Sequence, residues 1–150
     1  VQSFLFEQDS LAEDVAGHFF DANGDGFADL IVGSGGIEFS NYSGTYSDRL
    51  YLNDGKGNFK KSPQVFAPSP TAFILSEDVD GDGDLDLVVG TRAVPFAYGV
   101  PAGVQIWQND GKANFTEVTP SVNPELAQIG MLTDGSIADL DVDGKSELIL

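Results

Sequence analysis

The sequence has no cysteine, one histidine, one tryptophan and only seven basic residues in 150. Without cysteine there is no disulfide framework, no thiolate metal site and no cysteine nucleophile. Reducing compartments favour such chains, yet many bacterial surface proteins share the trait, so it leaves the compartment open. The lone histidine, His18, lies in a short apolar run; a general base needs an oriented partner, and the sequence offers none. No apolar run approaches the length that spans a bilayer. The shortage of Lys and Arg leaves 24 acids nearly unopposed and a net charge of −17. A surface so acidic repels nucleic acid and anionic membranes, and neither is an expected partner.

What is present is clustered. Twelve of the 24 acids fall in three nine-residue windows, with three, five and four apiece. A disordered acidic chain spreads its charge or runs it into a tail. Here the charge sits between apolar segments, which calls for a neutralising cation. The windows belong to a repeat: DANGDGFADLIVG begins at Asp21, DVDGDGDLDLVVG at Asp78 and DLDVDGKSELIL at Asp139, spaced by 57 and 61 residues. A second element alternates with them, LYLNDGKGNF from Leu50 and IWQNDGKANF from Ile106. Self-similarity at this period marks a repeat architecture.

Each unit reads as strands. Short apolar runs precede the acidic loops at Val15 to Phe20 and Ala72 to Leu75, and others follow at Leu30 to Val32 and Leu87 to Val89. Leu50 to Leu52 and Val104 to Trp107 form third strands, ending in Asn-Asp-Gly-Lys turns. Phe59 and Phe115 begin fourth strands, and no segment carries a helical period. Four short antiparallel strands, repeated, predict an all-β fold of β-propeller blades, about two and a half of them. The expected organisation is residues 1–14 as the end of a preceding blade or linker, blades over 15–70 and 71–130, and a third blade starting at 131–150, just reaching its second strand at Leu150. The chain reads as a fragment of a larger propeller, its open edges to be covered by remaining blades or by self-association.

The loops suit a hard divalent cation, which takes oxygen ligands. Positions 1, 3, 5 and 9 offer Asp21, Asn23, Asp25 and Asp29; then Asp78, Asp80, Asp82 and Asp86; then Asp139, Asp141, Asp143 and Glu147. Position 6 is Gly26, Gly83 and Gly144, where a sharp reversal needs freedom from Cβ strain. Position 7 varies (Phe27, Asp84, Lys145), as expected where only a backbone carbonyl is used. An EF-hand demands a bidentate Glu at position 12 and flanking helices. Position 12 here is Val32, Val89 and Leu150, all in strand-like runs. A paired-aspartate phosphotransferase site needs one copy, not three. Solvated acidic turns remain the bland alternative, since Asp, Asn and Gly are common turn residues.

These loops, the Asp-Leu-x-Val-Gly continuations at Asp29 to Gly33 and Asp86 to Gly90, and the Asn-Asp-Gly turns at Asn53 and Asn109 resemble the FG-GAP/VCBS repeats of integrin α chains and many bacterial surface proteins. The resemblance covers Val15 to Leu150. It implies that each acidic loop joins the first two strands of a blade and binds Ca²⁺, giving two to three ions held by the twelve side chains and the position 7 carbonyls of Phe27, Asp84 and Lys145. The third repeat departs from the pattern, with Glu147 for Asp and Val142 where the others have Gly. The resemblance also implies an extracellular, cell-surface or periplasmic setting and a role in adhesion or in binding a protein or carbohydrate ligand.

Some such repeats accompany carbohydrate-active enzymes, so the alternative is part of a calcium-dependent polysaccharide lyase or hydrolase. That needs an acid and a base free of metal, and Asp9, Asp14, Glu38, Asp48, Glu77, Glu117, Glu125 and Asp134 are scattered without a recurring pair. No catalytic residue is assigned. Trp107 aligns with Tyr51, which favours packing between blades over a sugar platform. The ligand face is expected opposite the calcium loops, on the connections between second and third strands. These diverge completely, and they carry Phe39, Tyr42, Tyr46, Phe96 and Tyr98.

Overall fold

The computed structural model describes residues 3–7, 9–38, 44–97 and 99–150. It is all-β, built of antiparallel sheets that do not close on themselves. The first sheet runs β1 (Glu13–Phe20), β2 (Asp29–Gly35), β3 (Arg49–Asn53) and β4 (Phe59–Lys61) in sequence order. The second repeats it with β5 (Thr71–Glu77), β6 (Asp86–Thr91), β7 (Val104–Asn109) and β8 (Phe115–Glu117). A third pair, β9 (Ser136–Ala138) and β10 (Glu147–Ile149), extends the reading of the third unit, whose second strand is already paired. The acidic loops join β1 to β2, β5 to β6 and β9 to β10. Even the irregularities recur. The register slips between Asp14 and Ala16 in β1 and between Thr71 and Phe73 in β5, the same place in each repeat.

The continuous apolar runs of β2 and β6 follow from burial on both faces. In β6, Leu87 and Val89 point into a cluster with Ile31, Leu50 and Phe20 of the first sheet. Val88 points the other way, with Phe73, Val104 and Ile106, against Ile137 and Leu148 of the third pair. Period-2 alternation thus divides one hydrophobic run between two cores. Aromatic rings lock the first junction: Phe66 meets Trp107 edge-on at 5.0 Å, and Phe20 meets Phe115 at 6.2 Å. Trp107 and its counterpart Tyr51 are both buried, as packing between layers requires. Tyr51 is covered by the N-terminal segment, where Phe6 lies 5.1 Å from its ring and Asp9 accepts its hydroxyl at 2.8 Å.

Among the described residues helix is confined to pieces too short to leave a period in the sequence: α1 (Ser3–Glu7), α2 (Thr119–Val122) and 3₁₀ turns at Gly44–Tyr46 and Pro124–Gln128. No helix among the described residues is long and apolar enough to cross a membrane.

Asp48 ends the connection from β2 to β3 and is buried at the junction. Its Oδ1 accepts Ser34 N–H at 2.9 Å and the Thr71 hydroxyl at 2.8 Å, joining the first sheet to the second. Burial pushes its carboxyl up to about 7, against those hydrogen bonds and the nearby Arg49 charge. The folded pKa lies above the unfolded value of 3.8, so the folded chain holds this proton more tightly. The stability this contributes is full below about pH 4 and is lost as pH rises toward 7. Asp48→Asn keeps the acceptor without the charge. It is expected to flatten the fall in melting temperature between pH 4.5 and 7.5, measured by circular dichroism against the parent chain.

Candidate metal centres

The three loops fold on one plan, set by carboxylates that turn back onto their own backbone. At position 1, Asp21 accepts the N–H groups of Asp25 and Gly26 at 3.2 and 2.8 Å. Asp78 accepts those of Asp82 and Gly83 at 3.1 and 3.0 Å, and Asp139 those of Asp143 and Gly144 at 3.2 and 2.9 Å. Position 3 takes the position 5 N–H as well, at Asn23, Asp80 and Asp141. Position 5 takes the position 7 N–H at 2.8–2.9 Å, at Asp25, Asp82 and Asp143. Each such oxygen spends one lone pair on the backbone and keeps another for a cation.

Position 9 carries the most buried charge. Asp29 is fully buried, and its two oxygens accept Ala22 N–H at 3.0 Å and Asn53 N–H at 2.7 Å. Asp86 is 1% exposed and takes Val79 N–H at 2.9 Å and Asn109 N–H at 2.8 Å. One carboxylate thereby ties the loop, the second strand and the end of the third. Burial raises the pKa of both acids. Their N–H partners oppose the shift, and neighbouring loop carboxylates add to it. In the third loop Glu147, one methylene longer, still reaches Leu140 N–H at 2.8 Å.

The donor set fits a hard divalent ion. Oxygens of Asp78, Asp80 and Asp86 all lie within 4.8 Å of one another, as do those of Asp139, Asp141 and Asp143. These triads leave out Asp82 and Glu147. The first loop has the amide of Asn23 where the others have a carboxylate. Asp80 also accepts a close hydrogen bond from the Gln108 amide.

Two features escape a reading of the loops alone. Position 7 is not idle: the Phe27 ring lies over Gly55 and the Asp84 carboxylate over Gly111, so close that a Cβ at either glycine would clash. The turn asparagines do more than turn. Besides their N–H bonds to position 9, Asn53 and Asn109 give side-chain amides to the carbonyls of Ala28 and Leu85. Their recurrence at one offset is the signal in the sequence.

Of the residues expected on the ligand face, Phe39, Tyr42 and Tyr98 lie outside the described residues. Tyr46 is corrected: at 1% exposure its ring packs inside and presents no surface. Phe96 is 76% exposed at φ 57°, a strained conformation for a bulky residue. It lines an apolar groove of about 630 Å³ with Ile37, Val94, Val100 and Met131. His18 is half-buried, and its Nε2 meets Ser76 Oγ at 2.8 Å.

The sequence profile described as an FG-GAP-like repeat matches residues 21–89 and again 78–150. The chain is similar to human cartilage acidic protein 1, 30% identical over 137 residues, covering 87% of this chain and 19% of that protein. It is also similar to the Xenopus tropicalis cartilage acidic protein 1, 28% identical over 135 residues with the same coverage. The chain thus spans about a fifth of the length of these relatives.

At position 4 the first two loops have Gly24 and Gly81 at φ 71° and 81°, while the third has Val142 at 63°. A β-branched residue there is strained by about 1–2 kcal/mol. Val142→Gly is expected to stabilise the folded third loop by about 1 kcal/mol, read as roughly 5-fold slower amide hydrogen exchange at Gly144 by NMR.

Proposed function

The chain belongs to the FG-GAP-like repeat family, and on that footing we propose that it is a calcium-binding β-propeller module of a secreted or cell-surface protein, acting in adhesion or in binding a protein or carbohydrate ligand. The observation that carries the calcium reading is the convergence of Asp78, Asp80 and Asp86 oxygens behind a cage of backbone N–H donors. Oxygen-only donors of this number suit Ca²⁺, which takes six to eight. The ligands in each loop are the side chains of positions 1, 3, 5 and 9 with the position 7 carbonyl. The relatives' name, cartilage acidic protein, supports the extracellular setting.

The ion's role is structural. It neutralises carboxylates that otherwise repel one another beside a buried charge. Acids outside the loops support binding over catalysis: Asp9 pairs with Lys61, Asp14 with Arg49, and Asp48 is buried. Affinity on the order of 10⁻⁴–10⁻³ M suits an extracellular site. At 100 times its dissociation constant one ion stabilises by about 2.7 kcal/mol. Chelation is therefore expected to lower the melting temperature by roughly 5–10 °C, and Asp82→Ala to reproduce part of that loss in calcium. A melting temperature indifferent to chelator sinks this reading.

The ligand face lies at the end opposite the loops, in the groove around Phe96. Phe96→Ala is expected to weaken capture of a ligand selected from immobilised glycans and extracellular proteins by about 10-fold, leaving calcium binding and melting unchanged. Undiminished capture moves the ligand site elsewhere.

A further inference from the structure

Asn53 and Asn109 hold equivalent places but differ in what their amides reach. Asn53 gives Nδ2 to Ala28 O at 3.0 Å, and its Oδ1 closes its own turn by accepting Gly55 N–H at 3.1 Å. Asn109 makes the matching bond to Leu85 O at 3.1 Å. It also donates to Ala22 O at 2.8 Å, inside the acidic loop of the preceding sheet. Its Oδ1 is left buried and without a partner. The amide is held by the neighbouring loop and not by its own turn.

We propose that Asn109 is the positioning residue that couples calcium binding in the first loop to calcium binding in the second, so that the two sites fill cooperatively. This rests on the calcium reading above. The link is continuous: Asp29 Oδ2 accepts Ala22 N–H, Ala22 O accepts the Asn109 amide, and Asn109 N–H donates to Asp86 Oδ1. The position 9 carboxylates of two loops are joined through two residues. Ala22 is fully buried and Asn109 is 4% exposed, so water does not replace these bonds. An ion that fixes Asp29 fixes the Ala22 peptide, and with it the side chain of Asn109, the residue whose backbone N–H orients Asp86. A loop met already ordered has less freedom to lose on binding. The coupling is reciprocal.

The test is a calcium titration of the full chain by ¹⁵N NMR. Gly26 and Gly83 donate to the position 1 carboxylates of their own loops and report the two sites separately. Asp82→Ala, which cripples the second loop, is expected to weaken calcium binding at Gly26 at least about fivefold. In an Asn109→Ala background the same substitution is expected to change binding at Gly26 by less than about twofold. Asn53→Ala removes the matched bond within its own sheet and is expected to leave the transmitted effect intact. Unchanged binding at Gly26 in Asp82→Ala overturns the coupling, and this result needs no Asn109 variant to fold. So does a transmitted effect that survives Asn109→Ala, or one lost equally in Asn53→Ala. Calcium response at both glycines without transmission overturns the coupling alone. No response at either overturns the calcium reading and the coupling together.

Discussion

A carboxylate buried with no ion-pair partner among the described residues, Asp29 in one sheet and Asp86 in the next, is the constraint on which this fold turns. Burying such a charge costs several kcal/mol unless the surroundings answer it. Two backbone N–H groups answer part of it, one from the loop and one from the end of the third strand. The chain gathers around that need. The loop curls so that the N–H of its second residue reaches the carboxylate, and the third strand runs to an asparagine whose N–H does the same. The proposed cation would complete what the N–H groups begin, so that one carboxylate serves both the candidate site and the strand pairing.

The parts of this arrangement legible in the sequence are those that repeat. Loop side-chain oxygens at fixed offsets, the glycine at position 6 and the order of four strands recur with the period of the fold. Periodicity registers contacts a residue makes within its own unit. It misses contacts across a junction: Asn109 meets Ala22 from 87 residues away, and no pattern in either segment announces it. It also misses packing that tolerates different chemistry. Phe27 and Asp84 share no property, yet both fold over a turn glycine, so their variation looked like freedom. The short helices failed for want of length, since four or five residues carry no period. Tyr46 was misplaced because an aromatic in a divergent loop serves equally to display a surface or to pin the loop down, and here it pins.

The two ends of the sheets divide their labour. At one end the loops and Asn-Asp-Gly turns are short, alike and dense with hydrogen bonds. At the other the connections differ from sheet to sheet, and an apolar groove lies among Ile37, Phe96 and Met131, drawn from three successive units. Rigidity at the first end lets the second vary without unfolding the strands between. Asp48 is the anchor of the variable end, a carboxyl whose pKa burial pushes up to about 7.

Small residues stand at both ends of the junction between the sheets. Ala22 is sealed beneath Asn109 at the loop end. Near the other, a Cβ on Gly33 would fall 2.7 Å from a methyl of Thr71. Between them lie the large rings of Phe20, Phe66, Trp107 and Phe115. Bulk in the middle supplies cohesion, but the thin ends fix how far one sheet leans on its neighbour. Bulk added at either end would force the two sheets apart there, so their spacing is written in an alanine and a glycine, the least conspicuous residues of the interface.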